Sequence, residues 1–312
     1  MIHIQNKNID QTTPTAVTIG NFDGMHLGHV KLIQNIIDQA KENNLKSLVL
    51  SFNPHPRKVL FNEGPLYIMD SEEKVAMLKS MGIDIFIDYP FDKDFSSLSP
   101  NSFLEDFLLK RLKCAAITVG KGYRFGYNGK GSIEHIKVFA EANNIALATK
   151  LFEKDGQPVS STRIRNFIGQ GDVKAANYLL GRNFSLKGII GSGQSRGAAL
   201  GFPTANLIFD KNKLLPGNGV YATQTILKGE TFKSITNVGK IPTFDGTVTT
   251  VETYILNFSR NIYGESIAVN FLDKLRGEKK FSSVEELKSQ ILKDVEFVKM
   301  SDYTNFLVDT QN

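Results

Sequence analysis

The sequence predicts two folds in succession: an α/β domain built on a mostly parallel sheet, then an antiparallel β-rich domain that ends in a helix. Three observations predict it. Over roughly the first 150 residues, short apolar runs alternate with segments of helical period, the pattern of strands joined by crossover helices. Beyond about Gly181 that rhythm stops, and β-rich runs are broken by Gly, Pro and Asn at turn spacing. The chain also has 312 residues, more than one hydrophobic core usually organises.

In order along the chain, Ala16–Gly20 is a short buried strand, and it runs into a helix over Leu27–Asn43 with Val30, Ile33, Ile37 and Ala40 on one face. Lys46–Phe52 is the second strand. Asp70 and Glu73 form a capping-box pattern that opens a helix, and Gly82 closes it. Ile83–Tyr89 is the third strand. Ser99 and Pro100 start a helix carrying Phe103, Leu104, Phe107 and Leu108. Ala115–Val119 and Ala146–Leu151 follow, separated by a helix after Ser132. In the second half, Gly219–Leu227, Thr231–Val238, Thr249–Phe258 and Glu265–Leu272 are strands of a barrel or a sandwich. A last helix, opened by Ser282 with Glu285, runs to about Met300. The boundary falls within Gly181–Lys187, giving domains 1–183 and 184–312.

Composition excludes several classes. With 41% hydrophobic and 22% charged residues the chain is of ordinary globular type. No apolar run reaches the roughly 18 residues of a membrane-spanning helix, and Met1–Gly20 lacks the features of a secretory leader. Cys114 is the one cysteine, so it forms neither an internal disulfide nor a zinc site by itself and reads as a small buried residue. These features point to the cytoplasm, with no membrane partner. The net charge of +5 suits an anionic partner. Lys and Arg are scattered among nearly as many Asp and Glu, which favours phosphorylated small molecules over nucleic acid. Homo-oligomerisation is left open.

Gly20-Asn21-Phe22-Asp23-Gly24-Met25-His26-Leu27-Gly28-His29 sits where the first strand meets the first helix. Glycines there let backbone approach a phosphate, and the helix start offers oriented N–H groups. His26 and His29, three apart, share a face and can donate to charge growing on a transferring phosphoryl group. The string resembles the HxGH signature of nucleotidyltransferases, in the form typical of bacterial FAD synthetases. Phe52-Asn53-Pro54-His55-Pro56 and Val159-Ser160-Ser161-Thr162-Arg163-Ile164-Arg165 are similar to two further motifs of that family. The resemblance implies a Rossmann-like nucleotidyltransferase domain in which His26 and His29 are catalytic and Gly20, Phe22, Asp23, Gly24, Ser161, Thr162 and Arg165 bind ATP. Tyr123 and Phe125 are its implied flavin contacts. Gly122 stands where the family usually has Asp or Asn.

Gly201-Phe202-Pro203-Thr204-Ala205-Asn206 resembles the PTAN signature of riboflavin kinases, and the glycine-rich Gly188–Gly197 stretch before it suits a flap over phosphates. This resemblance implies a β-barrel kinase domain. Gly193, Thr204 and Asn206 would bind ATP, with Thr204 and Asn206 also holding Mg²⁺ through oxygen. Glu252 would be the catalytic base toward the riboflavin 5′-hydroxyl, and Arg276 and Glu278 would contact the flavin. Gln194, Ala198, Tyr254 and Asn257 replace residues frequent in that family. Together the two resemblances imply a bifunctional enzyme that phosphorylates riboflavin to FMN and adenylylates FMN to FAD, with ATP as co-substrate. The alternative is a diverged paralogue retaining one of the two activities.

Overall fold

The computed structural model describes residues 1–192, 197, 200–243 and 246–302. The chain divides into two compact units, Met1–Ser160 and Ser161–Asn312.

The first unit is a six-stranded, all-parallel sheet. Its strands are β1 (Ile2–Ile4), β2 (Thr15–Ile19), β3 (Lys46–Asn53), β4 (Ile85–Pro90), β5 (Cys114–Gly120) and β6 (Ala146–Lys150), in the order β1-β4-β3-β2-β5-β6. Helices lie between the strands: α1 (Leu27–Glu42), α2 (Pro56–Phe61), α3 (Ser71–Ser80), α4 (Lys93–Ser96), α5 (Pro100–Ser102) and α6 (Ile133–Ala142). Strand residues alternate between two apolar layers. Leu48, Leu50, Ile85 and Ile87 enter one with Phe103 and Ile136; Val49 and Phe86 enter the other with Ile33 and Leu78. Burial on both faces is why these strands read as continuous apolar runs in the sequence. A short hairpin of β7 (Glu153–Lys154) and β8 (Gln157–Pro158) ends the unit.

Two local readings change. Ser99 does cap the helix at Pro100, but after α5 the chain widens into a π-helix over Phe103–Arg111, closed by Leu112 N–H donating to the Phe107 carbonyl. The capping box of the final helix lies one residue later than expected. Ser283 accepts from Glu286 N–H, and the Glu286 carboxylate reaches back to Ser282 N–H and hydroxyl.

The second unit is a closed antiparallel barrel, so the barrel and not the sandwich is adopted. Its strands are β9 (Phe184–Gly191), β10 (Ala205–Ile208), β11 (Gly219–Leu227), β12 (Glu230–Thr243), β13 (Gly246–Ile255) and β14 (Ser266–Arg276), ordered β10-β13-β12-β11-β14-β9 with β9 pairing β10 to close. Helices α7 (Ser161–Gln170) and α8 (Val173–Leu180) precede the barrel, and α9 (Val284–Met300) follows it. The buried amide of Asn177 on α8 donates to the Phe271 carbonyl and accepts from Phe184 N–H, tying that helix to two strands. Val295 and Val298 of α9 pack on Val220, Ile235 and Leu272. Inside the barrel Thr223, Thr225, Ser234, Thr236 and Thr253 are fully buried and joined in a row of hydroxyl contacts of 2.8–2.9 Å.

Part of the glycine-rich stretch expected to be a flap is strand. Gly188 lies in β9 where a Cβ would stand 2.3 Å from the Ile208 carbonyl oxygen and 2.8 Å from Leu207. Backbone is the obstacle, so Gly188→Ala forces the two strands apart and is expected to cost about 1–3 kcal/mol. Gly169, on an exposed part of α7, has nothing within 4 Å of its missing Cβ; Gly169→Ala is expected to add about 0.5–1 kcal/mol by reducing backbone freedom in the unfolded chain. Denaturant unfolding of the two variants beside the parent checks both signs.

Candidate active sites

The crevice outside the carboxyl ends of a parallel sheet is where ligands bind in such folds. Here the turn from β2 to α1 occupies that position. Phe22, Gly24 and Met25 all have positive φ (49°, 78° and 38°), so the chain reverses abruptly after Gly20. Two side chains hold the reversal by turning inward. The Phe22 ring is buried among Ile33, Val49 and Phe86. The Asp23 carboxylate, 7% exposed, accepts from Ile68 N–H (3.0 and 3.2 Å) and Met69 N–H (3.2 Å). Gly24 packs against Ile68, where a Cβ would approach within 3.0 Å.

His26 is the N-cap of α1: its Nδ1 accepts from His29 N–H at 3.2 Å. In the neutral ring Nε2 therefore carries the proton and acts as a donor. The two imidazoles stack at 3.6 Å, tilted by 18°. Gly28 permits this, since a Cβ there would meet the His26 ring at 3.2 Å. Two ring donors thus lie over the N-terminus of a 16-residue helix, which itself favours anionic groups. His55 stands at the end of β3. It caps α2 by accepting from Arg57 N–H at 3.2 Å and meets the Asn21 side chain at 2.9 Å.

After β5, Gly122 is exposed, has an ordinary φ and has nothing within 4 Å of its missing Cβ. Tyr123 stacks on Phe125 at 5.8 Å, and burial raises its phenol above the ordinary range. Phe125 is 6% exposed and packs on Phe103 in the core. Ser161, Thr162 and Arg165 occupy the first turns of α7 and belong to the second unit, with Ile164 and Ile168 as that helix's buried face.

In the barrel, Asn206 on β10 lies directly across from Glu252 on β13, and Thr204 just before β10 brings its hydroxyl to 3.4 Å from Glu252 Oε2. Period-2 alternation puts these three on one side of the ladder. Beside them opens a cavity of about 400 Å³ lined by Phe202, Asn237, Glu252, Tyr254, Arg276 and Glu278. Arg276 is held there by Asp294, which takes its Nε and a terminal nitrogen, both at 2.9 Å. Glu278 accepts from Asn218 Nδ2 at 3.0 Å. A second cavity of about 280 Å³ is lined by Pro203, Thr253, Phe258, Arg260 and Tyr263. Thr204 lines both. Gly193 lies outside the described residues, as do Gln194 and Ala198.

Sequence reasoning did not single out Asp294, Phe258, Arg260 or Tyr263. The aromatic, turn-rich run between β13 and β14 was the available signal for the last three. As for a metal, no cluster of three or more His, Cys, Asp or Glu could hold one among the described residues. Thr204 and Asn206 offer hard oxygen donors beside a carboxylate, which suits an ion that keeps several waters and takes other ligands from phosphates, as Mg²⁺ does.

Comparison with known proteins follows the same division. Residues 8–163 match the family described as FAD synthetase, and residues 180–301 the family described as riboflavin kinase. A protein of Haemophilus influenzae called bifunctional riboflavin kinase/FMN adenylyltransferase is 35% identical over 91% of this chain and 93% of its own length. Its counterpart in Listeria monocytogenes is 34% identical over 92% and 94%. A solved structure from Streptococcus pneumoniae, described as a macrolide-efflux protein, is 31% identical with a TM-score of 0.89, covering 97% of this chain and all of that one. Among the described residues of this chain no helix is long and apolar enough to cross a membrane. The two matched families, in this order and over this length, place the chain in the bifunctional riboflavin kinase/FMN adenylyltransferase family.

Proposed function

We propose that the chain converts riboflavin to FAD in two ATP-dependent steps, with riboflavin phosphorylation in residues 184–312 and FMN adenylylation in residues 1–183. The observation that supports this reading is two separate side-chain groupings with chemistry suited to phosphate: the histidine stack on α1, and the Thr204–Asn206–Glu252 face of the barrel.

In the kinase step Glu252 accepts the proton of the riboflavin 5′-hydroxyl as that oxygen attacks the γ-phosphorus and ADP leaves. The larger cavity, with Phe202 and Tyr254 in its walls and Glu252 at its edge, takes the flavin. The smaller one takes the nucleotide, and Thr204, common to both, stands at the transfer point. Thr204 and Asn206 would hold Mg²⁺, which would neutralise charge on the phosphates. Arg276 and Glu278, fixed by Asp294 and Asn218, border the flavin.

In the adenylylation step a phosphate oxygen of FMN attacks the α-phosphorus of ATP and pyrophosphate leaves. His26 and His29 donate to the oxygens on which charge grows, and the helix start adds its field. Gly20 and Gly24 give the phosphates access to backbone, and Phe22 and Asp23 act from beneath by fixing the turn. Ser161, Thr162 and Arg165 on α7 are the other residues that the resemblance implies for ATP, and their hydroxyl and guanidinium groups suit phosphate. Tyr123, with Phe125 behind it, offers an aromatic face to the flavin. Both reactions draw on ATP, which supports a cytoplasmic location.

His29→Ala is expected to lower FAD synthesis at least about a hundredfold, while riboflavin phosphorylation persists. Resolving riboflavin, FMN and FAD after incubation with ATP and Mg²⁺ reads both at once. Equal loss of the two in a folded protein contradicts two separate sites.

Glu252→Gln should abolish phosphorylation of riboflavin yet leave adenylylation of supplied FMN intact. The amide keeps the shape and loses the basicity, so the loss belongs in kcat, not in riboflavin affinity. A kinase rate near the parent's removes Glu252 from the role of base.

Gly122→Asp tests the one position in the flavin loop that lacks the family's polar side chain. The open surroundings and ordinary φ of Gly122 mean the variant folds without strain. A lower KM for FMN in FAD synthesis is expected, with the KM for ATP unchanged. No change in a folded variant shows that other residues orient the flavin.

A further inference from the structure

Lys74 lies on α3, a helix that carries none of the residues given a role above. The residue is half-buried, with its ammonium 3.0 Å from the Asn21 carbonyl oxygen and 3.4 Å from Ser51 Oγ. Ser51 donates to the same carbonyl at 3.2 Å. Burial pushes this ammonium below its usual range, while the charges of buried Asp88 and Asp23 act against that shift. A buried ammonium is unfavourable where an apolar side chain of equal length would fit, so its place beneath a phosphate-handling turn points to work done by the charge.

Asn21 is the junction. Its carbonyl faces Lys74, and its side chain meets His55 Nε2 at 2.9 Å. His55 is thus held at both ring nitrogens, Nδ1 accepting from Arg57 N–H and Nε2 meeting the Asn21 side-chain Nδ2. Asp23, two residues on, is bound to the backbone just before α3. The segment formed by Ile68, Met69 and α3 thus grips the turn at two points.

We propose that Lys74 is a positioning residue for adenylyl transfer: it pins the Asn21 carbonyl and, through Asn21, sets His55 and the Gly20–Gly24 turn against the start of α1, where the nucleotide phosphates bind. This rests on the assignment of adenylylation to this part of the chain. The ammonium need not touch ATP, so its removal should misplace the phosphate-binding backbone without removing any contact to flavin.

The test uses full-length Lys74→Met, Lys74→Arg, His55→Ala and the double variant Lys74→Met/His55→Ala. FAD synthesis from FMN, riboflavin phosphorylation and thermal unfolding are followed in each. Lys74→Met is expected to lower kcat for FAD synthesis roughly tenfold or more by misplacement, with KM for FMN and riboflavin phosphorylation held within about twofold. Lys74→Arg, which keeps the charge, should restore part of the rate. In the His55→Ala background, Lys74→Met should cost at most about twofold more, because both changes break one chain of contacts. Independent, multiplying losses overturn the proposal, as does a Lys74→Met enzyme with the parent's FAD-synthesis rate. Should Lys74→Met fail to fold, Lys74→Gln takes its place in the same cycle and is judged by the same two outcomes. A parent protein that phosphorylates riboflavin but makes no FAD sinks the underlying assignment instead, a result separate from the comparison among variants.

Discussion

Asp23 turns its carboxylate into the protein, where three contacts of 3.0–3.2 Å to Ile68 and Met69 N–H bind the turn after β2 to the chain leading into α3. Backbone N–H groups are strong donors to a carboxylate, and a buried one so satisfied is expensive to disturb. Everything at this end of the sheet follows from that anchor. Three positive φ values within the four residues Phe22–Met25 are tolerable only in a turn held from below. That turn delivers His26 to the cap position, the cap fixes which nitrogen of His26 donates, and Gly28 lets His29 lie flat against it.

The barrel reaches a comparable result by register instead of by a strained turn. Asn206 faces Glu252 because β10 and β13 pair in that register, and Asn237 faces Glu252 from the other side through β12. A slip of one residue would turn Glu252 away from Thr204 and toward the buried hydroxyls. The close packing of Gly188 and Gly191 against Ile208 fixes the register where the barrel closes. The Thr204–Asn206–Glu252 arrangement and barrel closure are therefore one constraint.

How much of this was legible in the sequence depends on how local the cause was. β2 to β5 were readable because burial on both faces makes them largely apolar, and α1 because its period is regular; β1, three exposed or half-buried residues, was not. β9 and β10 were not: glycines masked the first, and the second is a four-residue strand. The final capping box was misplaced by one because Ser282-Ser283-Val284-Glu285-Glu286 satisfies the pattern in two frames, and only the side-chain bonds choose between them. The π-helix left no mark in the residue types. At the sites, motif spacing reached His26, His29, Thr204, Asn206 and Glu252. It could not tell an open side chain from a buried one, and so grouped Asp23 and Phe22 with the glycines beside them. Asp23's partners lie 45 and 46 residues away, beyond any local pattern.

The five hydroxyls inside the barrel carry a consequence of simple counting. Four contacts join Thr225, Ser234, Thr223, Thr236 and Thr253, and each contact uses one proton, so of five protons one is left over. Thr225 spends its own on Ser234. The surplus must leave the row for a main-chain carbonyl or for whatever occupies the cavity that Thr253 lines. With Thr225 as the donor at one end, the row can run in one sense as far as Thr253, where a ligand offering an acceptor would complete it.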